Sequence, residues 1–170
     1  MKVWRIATDT PDYTADDLSG RGAEMSGGRW NRKGTPLLYT STSRALACLE
    51  VFAHLSVGVP LPLNRYLVDI EFPFTAWEDR KLFRVDVLVG WDAEPAGKVS
   101  LDWGDDWARS GRSLLAEVPS VIIPEESNIL INPEHPDARE LKCRKIRKWT
   151  FDQRARGDDP SGSLKAPSPR

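Results

Sequence analysis

The sequence predicts an α+β domain with a mixed or antiparallel sheet and flanking helices, and three observations carry that expectation. Apolar, branched segments suited to strands outnumber the helical ones. The helical segments are not evenly interleaved between them, as a doubly wound fold requires. One segment, residues 43–55, is an apolar helix that no proline or glycine interrupts, with Thr42 or Ser43 as its N-cap. A chain of 170 residues, 40% apolar and 29% charged, suffices for a single domain with a buried core.

In chain order, residues 3–7 (VWRIA) form a short first strand and residues 9–22 a polar connection. The paired glycines of residues 26–31 (SGGRWN) mark a turn and allow close approach of a ligand. Residues 36–41 (PLLYTS) make a strand running straight into the helix at 43–55, and residues 64–72 alternate as a half-buried strand. Two short helical pieces are predicted at 75–82, capped by Thr75, and at 102–110, the second irregular. Residues 113–124 contain LLAEVPSVIIP, a central or subcentral strand in which Pro119 must fall at a bulge, an edge or a break. Residues 128–132 form another strand, and residues 145–152 close the sheet with Ile146, Trp149 and Phe151 as anchors. The domain therefore spans residues 1–153; residues 154–170, rich in Pro, Gly, Ser and charge, read as a disordered tail.

With 24 basic and 25 acidic residues, the chain carries no general electrostatic footprint for nucleic acid. Cys48 and Cys143 lie far apart and match no zinc spacing, which speaks for a reduced, cytoplasmic setting without a metal. No apolar run approaches the roughly 20 residues needed to cross a bilayer, and the N-terminus has no signal-peptide pattern. Seven tryptophans are unusual but select no function by themselves.

Glu50 stands out because its helix is apolar on nearly every face, so the sequence expects it buried against the sheet. A buried carboxylate needs a partner, a raised pKa or a cleft edge; the simplest partner is His54, one turn on. Arg29, which follows Gly27 and Gly28, suits a phosphate or carboxylate, or else a solvated surface turn. Tyr39 and Ser41 share one face of their strand, where a ring can stack on a ligand and a hydroxyl can add a contact, or Tyr39 can be ordinary core. Ser120 reads as a satisfied hydroxyl more readily than as a nucleophile, since no GxSxG elbow surrounds it. Asn128 and His135 fall in or beside a polar, proline-marked turn.

Taken together, GGRWNRKGTPLLYTSTSRALACLE and VPSVIIPEESNILINPEHPD resemble the RES domain, a bacterial toxin family named for an arginine, a glutamate and a serine. The resemblance runs from about Val3 to Phe151 and puts the name residues at Arg29, Glu50 and Ser120, with Tyr39 in the same pocket. It implies an ADP-ribosyltransferase-like fold and NAD+ as substrate, with no further cofactor. The acceptor would be water, phosphate or a protein. It also implies a cognate Xre-like helix-turn-helix antitoxin covering the active site, and leaves room for a homodimer. Neither direct nucleic-acid binding nor a membrane enters it.

In that reading Glu50 stabilises oxocarbenium-like charge on the ribose while Arg29 holds the pyrophosphate or the ribose edge. Tyr39 stacks on nicotinamide, Ser120 hydrogen-bonds ribose or the carboxamide, and Ser41 and Asn128 complete the ligand contacts. An RNA-cleaving toxin or a non-catalytic binding module is the competing class. Near-neutral charge without basic-aromatic clustering counts against RNA.

Overall fold

The computed structural model describes residues 1–55 and 60–152. The order is β1 (Lys2–Thr8), α1 (Arg21–Ser26), β2 (Leu38–Ser41), α2 (Arg44–Ala53), β3 (Arg65–Glu71), α3 (Phe74–Glu78), β4 (Lys81–Leu82), α4 (Lys98–Ser110), β5 (Leu115–Pro119), β6 (Ser127–Ile131) and β7 (Lys142–Lys148), with a 3-10 turn at Pro136–Glu140. The strands form one sheet in the order β4-β5-β6-β2-β1-β3-β7. Every neighbouring pair is antiparallel except β4 with β5, so the fold is α+β with a mixed sheet, as expected.

The sheet is nearly two sheets. β1 pairs with β3 over all seven of its residues, and β2 pairs with β6 over all four of its own. Between β1 and β2 the register holds one pair, Trp4 with Ser41. Past it the strands diverge, and Arg5–Thr8 on one side and Leu37–Tyr39 on the other line an open cleft.

Strand alternation sets what packs on each face. One face carries a single continuous core in which Val3, Leu38, Val68, Ile70, Leu115, Ile129 and Ile131 are buried. The opposite face carries two separate cores. Under α2, Ile6, Leu67 and Phe151 pack with Val51 and Phe52. Under α4, Ala116, Val118 and Leu130 pack with an aromatic cluster centred on Trp30. Ring centroids of Phe83, Trp103 and Trp91 stand 4.8, 5.5 and 6.1 Å from that of Trp30. Four of the seven tryptophans, Trp30, Trp91, Trp103 and Trp107, thus belong to one structural cluster.

Several sequence expectations are corrected. The piece expected at 75–82 is helix only over Phe74–Glu78, entered from Pro73, and Lys81–Leu82 is a short edge strand. The irregular piece at 102–110 is the C-terminal part of a regular 13-residue helix. Its Gly104 is where the helix touches Trp30: a Cβ there would lie 1.8 Å from the Trp30 carbonyl oxygen. Between the connection at 9–22 and the turn at 26–31 lies the short helix α1, none of whose residues is fully buried and whose Ala23 packs on the aromatic cluster. The run at 113–124 is strand only to Pro119, where the chain breaks into the β5–β6 hairpin loop. The last strand lies earlier than expected, and Ile146 is 39% exposed rather than an anchor, while Phe151 is buried. The expected tail lies outside the described residues.

Candidate active site

The cleft between β1 and β2 has a volume of about 730 Å³ and is walled in part by Arg29, Tyr39, Glu50 and Asn128. That size is in the range of small-molecule and cofactor sites.

Glu50 arrives on α2, whose N-cap is Ser43; its hydroxyl accepts a hydrogen bond from the Leu46 N–H at 3.0 Å. The helix is not buried all round as its composition suggested. Among its residues Leu46 and Ala47 are buried, and Glu50 is half-buried at the cleft wall. Its carboxylate is not turned to His54. Oε1 accepts hydrogen bonds from the Ser120 hydroxyl at 2.8 Å and from the Asn128 amide at 2.5 Å. The Asn128 Oδ1 in turn accepts from the Ser41 hydroxyl at 2.7 Å, across the β2–β6 pair that sets these residues opposite each other. One carboxylate oxygen is therefore fixed by two donors, while Oε2 takes no hydrogen bond from a described residue. Half-burial with charge-stabilising donors is the cleft-edge outcome named above.

Ser120 is fully buried, and its Oγ accepts from the Ile122 and Ile123 N–H groups, both at 3.1 Å, while donating to Glu50. The hydroxyl's one proton and both lone pairs are thereby used. It closes the turn after β5 and aims the carboxylate. Ser41, 3% exposed, likewise spends its proton on Asn128.

Arg29 occupies the opposite wall. Its turn is built by Tyr39, whose hydroxyl accepts from the Trp30 N–H at 2.9 Å and donates to Asn31 Oδ1 at 2.7 Å. The close approach that the glycines permit is made by this tyrosine: a Cβ on Gly28 would lie 2.6 Å from the Tyr39 hydroxyl oxygen. Burial pushes the Tyr39 phenol above its ordinary range, which keeps the proton for Asn31. Asn31, 1% exposed, then gives its amide to the Ala23, Arg32 and Thr35 carbonyls. Arg32 anchors the turn to α4, donating to Asp105 from its backbone N–H at 3.1 Å and its guanidinium at 2.8 Å. Burial of Asp105 opposes its charge, but the hydrogen bonds from Arg32 outweigh it and hold the carboxyl below its usual range.

The Arg29 guanidinium is covered by one loop. It donates to the Trp91 and Ala93 carbonyls at 3.2 and 2.8 Å and to Glu94 Oε2 at 2.8 Å, and Glu94 itself lines the cleft. Sequence reasoning missed Asn31, Glu94, Asp105 and the cleft arginines Arg5 and Arg65. Of these, only Asn31 had a signal, through its place in the GRWN motif. His54 lines the cleft without touching Glu50 through a hydrogen bond, and His135 caps the 3-10 turn by accepting from the Asp137 N–H.

Fold and site together define a single α+β domain whose split sheet opens a cleft with an aimed carboxylate on one wall and a guanidinium on the other. The family model described as the RES domain matches residues 2–153, and the chain belongs to that family. It is 57% identical over 152 residues, 89% of this chain and 94% of the relative, to a protein named "Prs ADP-ribosylating toxin" from Sphingobium sp. (strain YBL2). It is also 36% identical to "Toxin Res" of Yersinia enterocolitica, over 79% of this chain and 86% of that one. A third relative, "Toxin Res" of Pseudomonas putida, is 34% identical over 91% and 99% of the two chains.

Proposed function

We propose that this protein is a toxin that breaks the nicotinamide–ribose bond of NAD+, with Glu50 as the residue that stabilises the transition state. The observation that carries the reading is the geometry of Glu50: one oxygen fixed by Ser120 and Asn128, the other unengaged by described residues at the wall of a dinucleotide-sized cleft. The C1′–N bond breaks with its electron pair leaving on nicotinamide, which departs neutral. Positive charge then grows on the ribose, and a fixed carboxylate beside it lowers that barrier without reorganising. An acceptor oxygen bonds to C1′ and loses its proton to solvent or to Glu50. Nicotinamide needs little protonation to leave, so one well-placed carboxylate and a held substrate suffice.

In this reading Tyr39 acts through both ends. Its ring forms part of the cleft wall against nicotinamide, and its hydroxyl fixes the Arg29 turn. Ser120, Ser41 and Asn128 work as positioning residues for Glu50: both hydroxyl protons are spent inside the protein and one Asn128 N–H holds the carboxylate, while Asn128 also lines the cleft. The expected contact between Ser120 and the ribose finds no support in a hydroxyl that is fully buried.

Transfer of ADP-ribose to a protein is the second reading, favoured by the name of the 57% identical relative. Water or phosphate as acceptor gives simple depletion of NAD+. Either activity harms its own cell, so a neutralising partner belongs to the proposal, in the form of a helix-turn-helix antitoxin that covers the cleft. Incubating the purified protein with NAD+ and following nicotinamide by chromatography tests the bond cleavage, and its absence refutes the reading. Adding cell lysate with labelled NAD+ then tests transfer: label on a protein band supports it, and label only in small products supports depletion.

A further inference from the structure

Arg5, Arg21, Arg29 and Arg65 are the arginines that line the cleft among the described residues, and the charge of the first three is met. Arg29 is paired with Glu94 at 2.8 Å. Arg21 is exposed to solvent. Arg5, opposite Val68, is on the face of the continuous core. There its guanidinium donates to the Ala15 and Asp17 carbonyls, and the Asp16 and Asp17 carboxylates favour its charge.

Arg65 differs. It lies on β3 opposite Thr8 and two residues before Leu67, so strand alternation puts it on the face that packs under α2, the helix of Glu50. Its side chain is half-buried and donates to no described residue, and its Nε is buried without a partner among them. Burial disfavours its charge, and the neighbour that acts in its favour is the Tyr13 phenol, not a carboxylate. A cation in this state gains from an anion that accepts in the plane of the guanidinium. Unlike Arg29, it has no protein carboxylate to release before that anion binds.

The strand register sets how far Arg65 stands from the reacting end. Trp4 pairs with Ser41, Ser41 faces Asn128, and Asn128 holds Glu50. Thr8, and with it Arg65, lies four residues further along β1, about 13 Å at the usual rise of a strand. A dinucleotide whose nicotinamide end is held at Glu50 therefore runs toward Arg65 with its other half. We propose that Arg65 binds the adenosine-side phosphate of NAD+ and so makes the cleft prefer a dinucleotide to nicotinamide mononucleotide. This rests on the NAD+ reading for the identity of the ligand.

The test uses the full chain, with ADP as probe of the far half and nicotinamide mononucleotide as probe of the near half. Both are titrated by calorimetry at low ionic strength. Wild-type protein binds ADP, and Arg65→Gln weakens that binding about tenfold or more, the loss typical of a charge-assisted contact, while affinity for the mononucleotide holds. In nicotinamide release from NAD+, Arg65→Gln raises KM about tenfold and leaves kcat within about twofold, because Arg65 is remote from the breaking bond. Arg65→Lys keeps the charge but not the fork and falls between the two proteins. Both variants keep the wild-type melting temperature without ligand, since no described partner is lost; a large drop in both makes Arg65 structural and overturns the proposal. So does an absence of ADP binding in the wild type, an unchanged ADP affinity in Arg65→Gln, or an equal loss for the mononucleotide. Inorganic phosphate that displaces ADP at equal concentration also overturns it, because the site then reads a free anion and not a nucleotide. ADP binding that depends on Arg65, without any nicotinamide release from NAD+, refutes the NAD+ reading and leaves an adenosine-phosphate site standing. Nicotinamide release with a wild-type KM in Arg65→Gln keeps the NAD+ reading and removes Arg65 from it.

Discussion

The two walls of the cleft hold their charged groups in opposite ways. On one, Glu50 is fixed by side chains from the sheet: Ser120 at the end of β5 and Asn128 on β6, itself oriented by Ser41 on β2. Ser41 and Ser120 are buried, and each hydroxyl proton is spent on the next acceptor. On the other, the turn beneath Arg29 is rigid, but the guanidinium above it is held by a single loop through two carbonyls and one carboxylate that is 83% exposed. Buried networks are costly to disturb, whereas an exposed ion pair contributes little and exchanges readily. For the proposed reaction the contrast is a division of labour: a carboxylate held in place for charge development would face a cation that can trade its protein partners for a ligand.

The largest effect expected on this contrast comes from the positioning residues. Asn128→Ala removes a donor to Glu50 and strands the Ser41 hydroxyl, so kcat for nicotinamide release should fall about 10–100-fold with KM changed much less. Ser120→Ala should fall in the same range. If KM rose and kcat held, these side chains would be contacting substrate and the contrast would be drawn at the wrong residues.

Next comes the turn that carries Arg29. Tyr39→Phe keeps the ring but leaves the Trp30 N–H and the Asn31 Oδ1 without their partner. Loss of about 1–3 kcal/mol of stability is expected in chemical denaturation, with activity surviving in the folded fraction. An unchanged denaturation midpoint would show the turn to be held by the aromatic cluster alone.

A smaller effect concerns pH. The Asp105 carboxyl is depressed below its usual value, so its contribution to stability is present above the unfolded carboxylate pKa and is lost as pH falls through the lower folded value. Asp105→Asn should therefore flatten the acid side of the melting-temperature profile below about pH 4, while also lowering stability at neutral pH. A variant with the wild-type acid slope would remove Asp105 from the account.

The smallest effect is the most diagnostic for the loop. Glu94→Gln should lower KM for NAD+ a few-fold at low salt, with kcat nearly unchanged, because a rim carboxylate no longer competes for Arg29. A drop in kcat instead would make Glu94 a positioning residue and the Arg29 wall as fixed as the other.

Much of this site is legible in the sequence, and the limits have physical causes. Arg29, Tyr39, Glu50 and Asn128 do meet around one cleft, because the strand-to-helix run at residues 36–55 and the strand at 128–132 are strongly patterned. The aim of Glu50 was not legible. Periodicity offers His54 one turn away, whereas the observed partners lie 70 and 78 residues along the chain. The open gap between β1 and β2 has no local signal either: both segments read as ordinary strands, and only their register shows that they part after one pair. Arg5 and Arg65 escaped notice because an arginine within a strand normally faces solvent. α4 extends N-terminally beyond the expected piece, and the contact its Gly104 makes with Trp30 is a tertiary feature without a local signal.

The central claim is that the charge of Glu50, held in place before substrate arrives, drives the bond cleavage. Wild-type protein and Glu50→Gln, both shown folded by circular dichroism, are to be compared for nicotinamide release from NAD+ by proton NMR. The amide keeps the shape and removes the charge, and the account predicts a rate at least about 100-fold lower, in line with the loss of one preorganised electrostatic contact. A Glu50→Gln protein that releases nicotinamide at the wild-type rate would contradict it.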